Sequence, residues 1–366
     1  MPGAITSRHV RLPSTATPVF NSIFERDPGA RETIVRRAAP ITLQSARRLN
    51  LTSLNLLQHD QARARQLEAI GQGNAGSRIT PALAPGSIPA TNAAVDYTVS
   101  IGIGTPPTQC TEFTDRLTIG SNLVVVGQSI GVAAQSEGFD DVDGVLGLGP
   151  QGLSRVTDSL FTQAAITQNL VAISFQPTNS LSVVNGELTF GGTDSSQFVG
   201  SINFAPITGT SPSSRFFGIN QAIRYGSNTN ILSNSAGIFD TFTTLTMINT
   251  AAFGRYKTAT GGVIDNATTL LKISPAQFNN LQSLFFTINN VVFEFTANAQ
   301  LWPRALNTAI GGDENSIYLI IADIGSGSSF NFINGYTFLE RFYTVYDTQN
   351  RRVGIANTPF TRSTIN

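Results

Sequence analysis

Several residue types on which enzymes commonly depend are scarce in this sequence. Its 366 residues include one cysteine, Cys110, so the chain can form no internal disulfide and offers no cysteine cluster for zinc. Its two histidines, His9 and His59, both lie in the first quarter of the chain. The remainder has no imidazole base, which argues against serine-triad, papain-like and histidine–zinc chemistry. We therefore expect neither a cofactor nor a bound metal.

Charged residues are also few, at 13% of the chain, about half the ~25% of an average soluble domain. The net charge of zero hides an asymmetry, because residues 1–92 hold eleven arginines against five acids, while residues 93–366 hold twelve basic residues against eighteen acids. The basic residues form no cluster, so we expect no nucleic-acid partner. No apolar run approaches the ~20 residues of a membrane span, so we expect no membrane association.

The sequence is rich instead in glycine, hydroxyl and amide residues and in phenylalanine, with 33 Gly and 24 Phe. After Asp96, short β-branched and aromatic runs alternate with Gly, Asn and Ser, which is typical of antiparallel strands. This pattern predicts a mostly β body, large enough for two lobes. The predicted strands are 97–104, 116–126, 170–176, 186–192, 201–207, 285–295, 317–324 and 341–356, and the predicted helices are 157–165, 250–258 and 274–281.

The first 92 residues have a different texture. Residues 45–69 alternate apolar and basic positions at helical spacing without Pro or Gly, which predicts a basic helix. Residues 71–92 are dense in Gly, Pro, Ser and Ala, a composition typical of a linker or a cleavable junction. We expect residues 1–38 to be disordered and residues 39–70 to dock on the acidic body by charge complementarity.

One motif in the body has chemical content. Residues 236–245, AGIFDTFTTL, place Asp240 at the end of an apolar strand, followed by hydroxyl residues. A buried aspartate needs donors, and the hydroxyls of Thr241 and Thr243 are the obvious candidates. The same pattern also fits an Asx or ST turn without any catalytic role, and the local residues alone favour that turn.

Other segments, taken in order along the chain, change this balance. They are 95–107 (VDYTVSIGIGTPP), 138–149 (GFDDVDGVLGLG), 185–194 (NGELTFGGTD), 332–343 (FINGYTFLERFY) and 353–356 (VGIA). Together they resemble the pepsin-like aspartic endopeptidases, particularly their fungal polyporopepsin group, and residues 39–69 resemble the propeptides of that group. The resemblance covers roughly residues 39–360, and so many ordered matches make chance similarity improbable.

The resemblance implies a bilobal pepsin-like fold and an acid-active endopeptidase. Each lobe of such a protein contributes an aspartate from a D-T-G-[ST] loop, and the two carboxyl groups share a proton while one activates a water. By position, Asp240 is the second aspartate of this pair, with Thr241, Phe242, Thr243 and Thr244 in its supporting loop. The resemblance further implies peptide or protein substrates, a zymogen, a monomer, and secretion, although no signal peptide is visible at the written N-terminus.

Two departures from the family pattern bear on activity. After Gln109 the family continues into the strand with the first D-T-G-S and then into a flap, whereas this chain passes directly into Cys110 and a segment resembling the strand after the flap. We therefore expect a truncated first lobe over residues 93–205 and a complete second lobe over residues 206–360. Asp115 is no replacement, since no hydroxyl or Gly follows it. Phe242 replaces the motif glycine and should crowd the loop.

Three interpretations remain open. In the first, the chain derives from an acid endopeptidase that, as written, lacks half its dyad and is inactive or severely impaired. In the second, it is a non-catalytic pepsin-fold protein that binds peptides or other partners. A dyad of Asp240 from two copies is disfavoured, because the second lobe is built to pair with a first lobe and Phe242 would meet itself at the axis. Pepstatin-type inhibitors should bind only if the dyad is restored.

Overall fold

The computed structural model describes residues 40–48, 55–72, 110–120, 123–133, 146–150 and 156–365. The segment predicted as disordered, the predicted strand 97–104 and nearly all of the predicted linker lie outside these residues. In chain order the strands are β1 (Ile41–Arg48), β2 (Cys110–Ile119), β3 (Leu123–Ala133), β4 (Leu170–Phe175), β5 (Ser182–Phe190), β6 (Val199–Pro206), β7 (Gly218–Tyr225), β8 (Thr229–Phe239), β9 (Thr246–Ile248), β10 (Val263–Ile264), β11 (Leu271–Ile273), β12 (Leu284–Ile288), β13 (Val291–Phe295), β14 (Ile317–Leu319), β15 (Ile321–Asp323), β16 (Phe332–Asn334), β17 (Phe342–Asp347) and β18 (Arg352–Asn357). The α-helices are α1 (Leu56–Gly71), α2 (Val156–Thr162), α3 (Thr250–Thr260), α4 (Pro275–Asn279) and α5 (Tyr336–Leu339).

The body is mostly β, as predicted, and every predicted strand within the described residues is present. The three predicted helices correspond to α2, α3 and α4, with local signals at their ends. Helix α3 begins after Asn249, whose side chain accepts the N–H of Ala252, and ends at Gly261, which has a positive φ of 68°. Helix α4 begins with a reciprocal capping box between Ser274 and Gln277.

The helix predicted over residues 45–69 is wrong at its start. Residues 45–48 belong to β1, which pairs antiparallel with β5, and α1 begins only at Leu56. An unpaired sheet edge leaves a row of backbone donors and acceptors without partners, and β1 satisfies those of β5. This pairing outweighs the helical spacing of the side chains. Asn55 then caps α1 by accepting the N–H of Leu57 at 3.1 Å.

A six-stranded sheet joins the two predicted lobes. Its order is β1-β5-β4-β17-β18-β6, so strands from both sides of the predicted boundary at residues 205 and 206 lie next to one another. The hairpin β2–β3 and the small sheet β10-β11-β14 stand apart from it. Both predicted lobes therefore contribute strands to this one sheet.

A seven-stranded sheet with the order β13-β12-β7-β8-β16-β9-β15 carries the predicted Asp240 motif. Its pairs β8–β16 and β9–β15 are parallel, which brings the ends of β8 and β16 to the same edge of the sheet. Phe239, the last residue of β8, packs on Phe338 at 5.9 Å between ring centres. Phe338 in turn contacts Phe286 and Phe342 in a buried aromatic cluster. This packing fixes where the chain leaves the sheet, immediately before Asp240.

In the part of the chain that the structure describes, no helix combines the length and the apolar character that crossing a membrane requires.

Candidate functional site

Residues 240–245, here called the Asp240 loop, connect β8 to β9 and rest on the segment that follows β16. The N–H of Asp240 donates to the carbonyl of Asn334 at 3.3 Å, and the N–H of Tyr336 donates to the carbonyl of Thr243 at 2.7 Å. Gly335 lies so close that a Cβ there would stand 2.2 Å from the carbonyl oxygen of Leu245. A glycine is therefore required at position 335 for the loop to pack on this segment.

The Asp240 carboxylate is held by its own loop. Its Oδ2 accepts the backbone N–H of Thr243 at 2.9 Å and the hydroxyl of Thr243 at 2.8 Å. This is the hydroxyl contact that the sequence predicted, whereas the side chain of Thr241 is exposed. Thr243 and Thr244 are both buried. The Asp240 side chain thus closes its own loop by bonding the backbone and the side chain three residues farther on.

The opposite side of the Asp240 carboxylate is occupied by Arg63 from α1. Its Nε donates to Oδ2 and its Nη2 donates to Oδ1, each at 3.1 Å, which makes a bidentate pair. The two side chains are only 18% and 12% exposed, respectively. Every oxygen of the carboxylate is therefore engaged, either by the guanidinium alone or by the guanidinium and Thr243.

A second carboxylate from α1 reaches the same loop. Asp60 is fully buried, and its Oδ1 accepts the N–H of Thr244 at 3.1 Å while its Oδ2 accepts the N–H of Leu245 at 2.7 Å. His59 lies 3.2 Å from Oδ1 through its Nδ1. Asp60 and Arg63 thus lie one helical turn apart on α1 and contact adjacent parts of the loop. Asp60 binds two backbone N–H groups, and Arg63 binds the Asp240 carboxylate.

The two carboxyl groups have pKa values shifted in opposite directions. Burial raises the pKa of Asp60, and the hydrogen bonds from His59, Leu245 and Thr244 offset that rise only in part. Burial also acts to raise the pKa of Asp240, but the Arg63 guanidinium and the Thr243 hydrogen bonds outweigh it and the pKa is lowered. Asp240 is therefore held as an ionised partner of a cation.

Further contacts fasten α1 along its length. Gln61 donates to the carbonyl of Asp323 at 2.9 Å, Glu68 accepts the N–H of Ser329, and Asn55 accepts the hydroxyl of Thr269 at 2.7 Å. The apolar side chains Leu56, Ala64 and Leu67 are buried. The expected docking of this segment on the body is thus present. Its contacts come from acidic, basic and uncharged polar side chains and from buried apolar ones.

Phe242 sits in the loop without backbone strain. Among the described residues, a positive φ outside glycine occurs only at Ala164, Thr269, Asn289, Asn290 and Arg351, so Phe242 has an ordinary backbone conformation. Its ring faces the Arg63 guanidinium, with 5.5 Å from Cζ to the ring centre. The loop accommodates the side chain by turning it toward α1, and Asp240 keeps its hydrogen bonds to Thr243.

Other predicted features lie elsewhere or do not form a site. Asp115 lies on β2 in the β2–β3 hairpin, where its Oδ1 accepts the N–H of Arg116 at 2.7 Å. In the described ranges, no group of three His, Cys, Asp or Glu side chains is placed to hold a metal ion. Asp60 and Arg63 were not predicted from the sequence as site residues. The signal that could have found them is an acid and a base three residues apart in the predicted helix, since such residues share one helical face.

The sequence is similar to those of known aspartyl proteases. The family model for eukaryotic aspartyl proteases matches residues 87–358. Polyporopepsin of Irpex lacteus is 51% identical over 341 residues, covering 77% of this chain and 100% of that protein. Cathepsin E-A of Xenopus laevis is 28% identical over 253 residues, covering 66% of this chain and 60% of that protein.

A solved structure is similar to this fold as well. The crystal structure of an aspartic proteinase from Irpex lacteus matches with a TM-score of 0.68 and 58% sequence identity, covering 70% of this chain and 79% of that one. The mostly β fold and the length of the family match agree. This chain belongs to the pepsin-like family of eukaryotic aspartyl proteases.

Proposed function

We propose that this chain carries the second half of an aspartic-protease site and that, in the sequence given, it hydrolyses peptide bonds very poorly or not at all. Asp240 is the family's second catalytic aspartate in this proposal, and Thr241, Phe242, Thr243 and Thr244 form its supporting loop. The family reaction needs two carboxyl groups that share one proton, one as the base for water and the other as the donor to the scissile carbonyl. One carboxylate cannot fill both roles.

The observation that carries this proposal is the partner of Asp240. Its carboxylate is paired with the Arg63 guanidinium at 3.1 Å through both oxygens, and no second carboxyl group among the described residues is paired with it. Such a pairing stabilises the ionised form and lowers the pKa, which makes the group a weaker base. It also fills the hydrogen-bonding positions that would have to orient an attacking water.

Asp60 does not supply the missing carboxyl group. Its two oxygens accept the N–H groups of Thr244 and Leu245, so they face the backbone of the loop. Two carboxyl groups that share a proton raise the pKa of one of the pair strongly through their mutual repulsion. The pKa shifts of Asp60 and Asp240 have other causes, namely burial of the first and the Arg63 charge on the second.

The alignment with polyporopepsin supports the predicted gap after Gln109. It runs over 341 positions and covers all of that protein, whereas 77% of this chain is about 282 residues. About 59 positions of that protein, 341 less 282, therefore face no residue of this chain. A total of this size is large enough to include the first D-T-G-S strand and the flap of the family.

An alternative function is non-catalytic binding of polypeptide. The specific observation in its favour is α1 itself, a polypeptide segment that binds the Asp240 loop through Arg63 and the rest of the body through Asn55 and Gln72. On either reading the partners are peptides or proteins, and we place the protein outside the cell as a monomer by analogy with the family. Pepstatin-type inhibitors should bind tightly only where a dyad is present.

The proposal is tested by repairing the chain in steps. We expect an insertion of a family-like D-T-G-S strand and flap after Gln109 to restore pepstatin-sensitive cleavage of a denatured protein substrate at acid pH. The same insertion with Asp240→Asn should be inactive, which is the matched control. Repair combined with Phe242→Gly should be more active than repair alone. No activity in either repaired chain, with the fold verified by circular dichroism, would contradict the assignment of Asp240.

A further inference from the structure

Residues 266–268, Asn-Ala-Thr, are one of two acceptor sequences for N-linked glycosylation in this chain. The other begins at Asn50, which lies outside the described residues. Such triplets arise easily by chance in a chain rich in Asn and Thr, so the sequence alone gives them little weight. The structure adds the position of Asn266, whose side chain is exposed in the turn between β10 and β11.

This turn is closed without the side chain of Asn266. The carboxylate of Asp265 accepts the N–H of Thr268 at 2.9 Å and the hydroxyl of Thr268 at 3.0 Å, and the N–H of Thr269 donates to the carbonyl of Asp265 at 2.8 Å. In the part of the chain that the structure describes, the Asn266 amide takes part in no hydrogen bond. A sugar on its nitrogen would therefore displace no contact of the turn.

The hydroxyl of the acceptor sequence is buried in the folded chain. Thr268 is only 1% exposed, and its hydroxyl also accepts the N–H of Leu270 at 3.2 Å. Because the acceptor pattern includes this hydroxyl, the sugar has to be attached before the turn closes, while the chain is still unfolded. The exposed position of Asn266 then allows the finished fold to keep the sugar.

Strand β10, which precedes Asn266, is an apolar strand at a sheet edge. Among the described strands it pairs with β11 alone, and its side chains Val263 and Ile264 are 66% and 37% exposed. Exposed apolar edge strands favour pairing with other chains, and proteins protect them with charges or with a covering group. Asn266 follows Ile264 by two residues, about 7 Å of extended chain. A glycan is bulky and solubilising, so one attached at Asn266 would reach β10.

Resting on the extracellular placement proposed above, we propose that Asn266 is a site of N-linked glycosylation and that its glycan covers the edge strand β10. The donor is an oligosaccharide linked to a lipid diphosphate. The amide nitrogen of Asn266 forms a bond to the anomeric carbon of the sugar and gives up one proton. The bond from that carbon to the diphosphate oxygen breaks, and the lipid diphosphate leaves with the electron pair.

The site is tested by synthesising the full chain, preceded by a cleavable secretion leader, in the presence of microsomal membranes. Asn50→Gln removes the other acceptor sequence, so a glycan on this variant belongs to Asn266. We expect a single gel shift that peptide-N-glycosidase reverses, and adding Asn266→Gln should abolish it. Thr268→Ser should keep the shift, whereas Thr268→Val should lose it. An Asn50→Gln chain that reaches the microsomal lumen without a shift would refute the site.

The covering role is tested on the secreted and purified chains by light scattering. The chain with Asn50→Gln and Asn266→Gln should aggregate at a several-fold lower concentration than the chain with Asn50→Gln alone. Adding Val263→Lys to the former should restore its solubility, because a lysine on an edge strand opposes pairing with another chain. Val199→Lys is the matched control, since Val199 is 57% exposed on β6, the edge strand of a different sheet.

Equal aggregation with and without the glycan, or equal rescue by the two lysines, would overturn the covering role. Neither the gel shift nor the light scattering depends on proteolytic activity. Failure of this proposal is therefore distinct from failure of the proposed function.

Discussion

Replacing Arg63 by glutamine should weaken the docking of α1 on the body by an amount that can be calculated from its ion pair with Asp240. The change removes the charge and keeps a polar side chain of similar reach. Removing one partner of a buried ion pair costs about 3–5 kcal/mol, because the other charge is left without compensation. Arg63 and Asp240 are 18% and 12% exposed, so water can reach part of the pair and we take the lower end, about 3 kcal/mol. At about 1.4 kcal/mol per factor of ten, this is roughly a 100-fold change in the docking equilibrium.

Hydrogen exchange measured by mass spectrometry reports this equilibrium directly. The amides of α1, Leu56–Gly71, should exchange roughly 100-fold faster in Arg63→Gln than in the wild-type chain at the same pH. Arg65→Gln is the matched control, since it removes the same charge from an exposed position of the same helix. If the α1 amides of the two variants exchange within threefold of each other, the ion pair does not hold the helix and the reasoning fails.

The remaining predictions concern pH, the loop support and the aromatic contact. Arg63 lowers the pKa of Asp240 against the effect of burial. The ion pair therefore stabilises docking of α1 at pH values above the ordinary pKa of 3.8, and this stabilisation is lost as the pH falls through the lowered pKa. Over that range α1 should become protease-sensitive in the wild type, with no matching change in Arg63→Gln. Gly335→Ala should lower the melting temperature by several degrees, because its Cβ would meet two loop carbonyls, whereas Gly254→Ala, with nothing within 4 Å, should not. Phe242→Leu removes a ring face worth about 0.5–1 kcal/mol, so α1 exchange should rise about two- to fivefold.

The contacts within the Asp240 loop could be predicted from the sequence because the residues that make them are close together in the chain. An apolar run that ends in Asp240 and continues into hydroxyl residues predicts a strand and a turn whose carboxylate is held by a neighbouring donor. The structure confirms the strand and the Thr243 contact. Several strands after residue 170, among them β4, β6 and β17, were predicted in the same way, since short apolar runs and turn residues alternate along this part of the chain, whereas β7 was not predicted.

The contacts between α1 and the Asp240 loop could not be predicted in the same way. Arg63 and Asp240 are 177 residues apart, and no local pattern specifies which face of a helix meets which loop. The error at residues 45–48 has a related cause. Helical spacing was present there, but the strand edge of β5 is a tertiary feature, and its unmet backbone hydrogen bonds decided the local structure.

Phe242 shows what a sequence leaves open about a residue substitution. The glycine of the family motif suggested that a side chain would crowd the loop. Whether it does depends on the space beside position 242 and on its φ, and neither is visible in a sequence. Here the ring lies against Arg63 with an ordinary φ. The effect of Phe242 on hydrolysis therefore stays a prediction, as does that of the other departure, the gap after Gln109.

Acid proteolysis by the chain as written tests the central claim most directly. The purified full chain and its Asp240→Asn variant would be assayed side by side on a denatured protein substrate across the acid range, with and without pepstatin. We predict that the two chains release peptides at the same background rate and that pepstatin changes neither. Pepstatin-sensitive cleavage by the chain as written that disappears in Asp240→Asn would contradict the account, since one carboxylate paired with an arginine would then be sufficient.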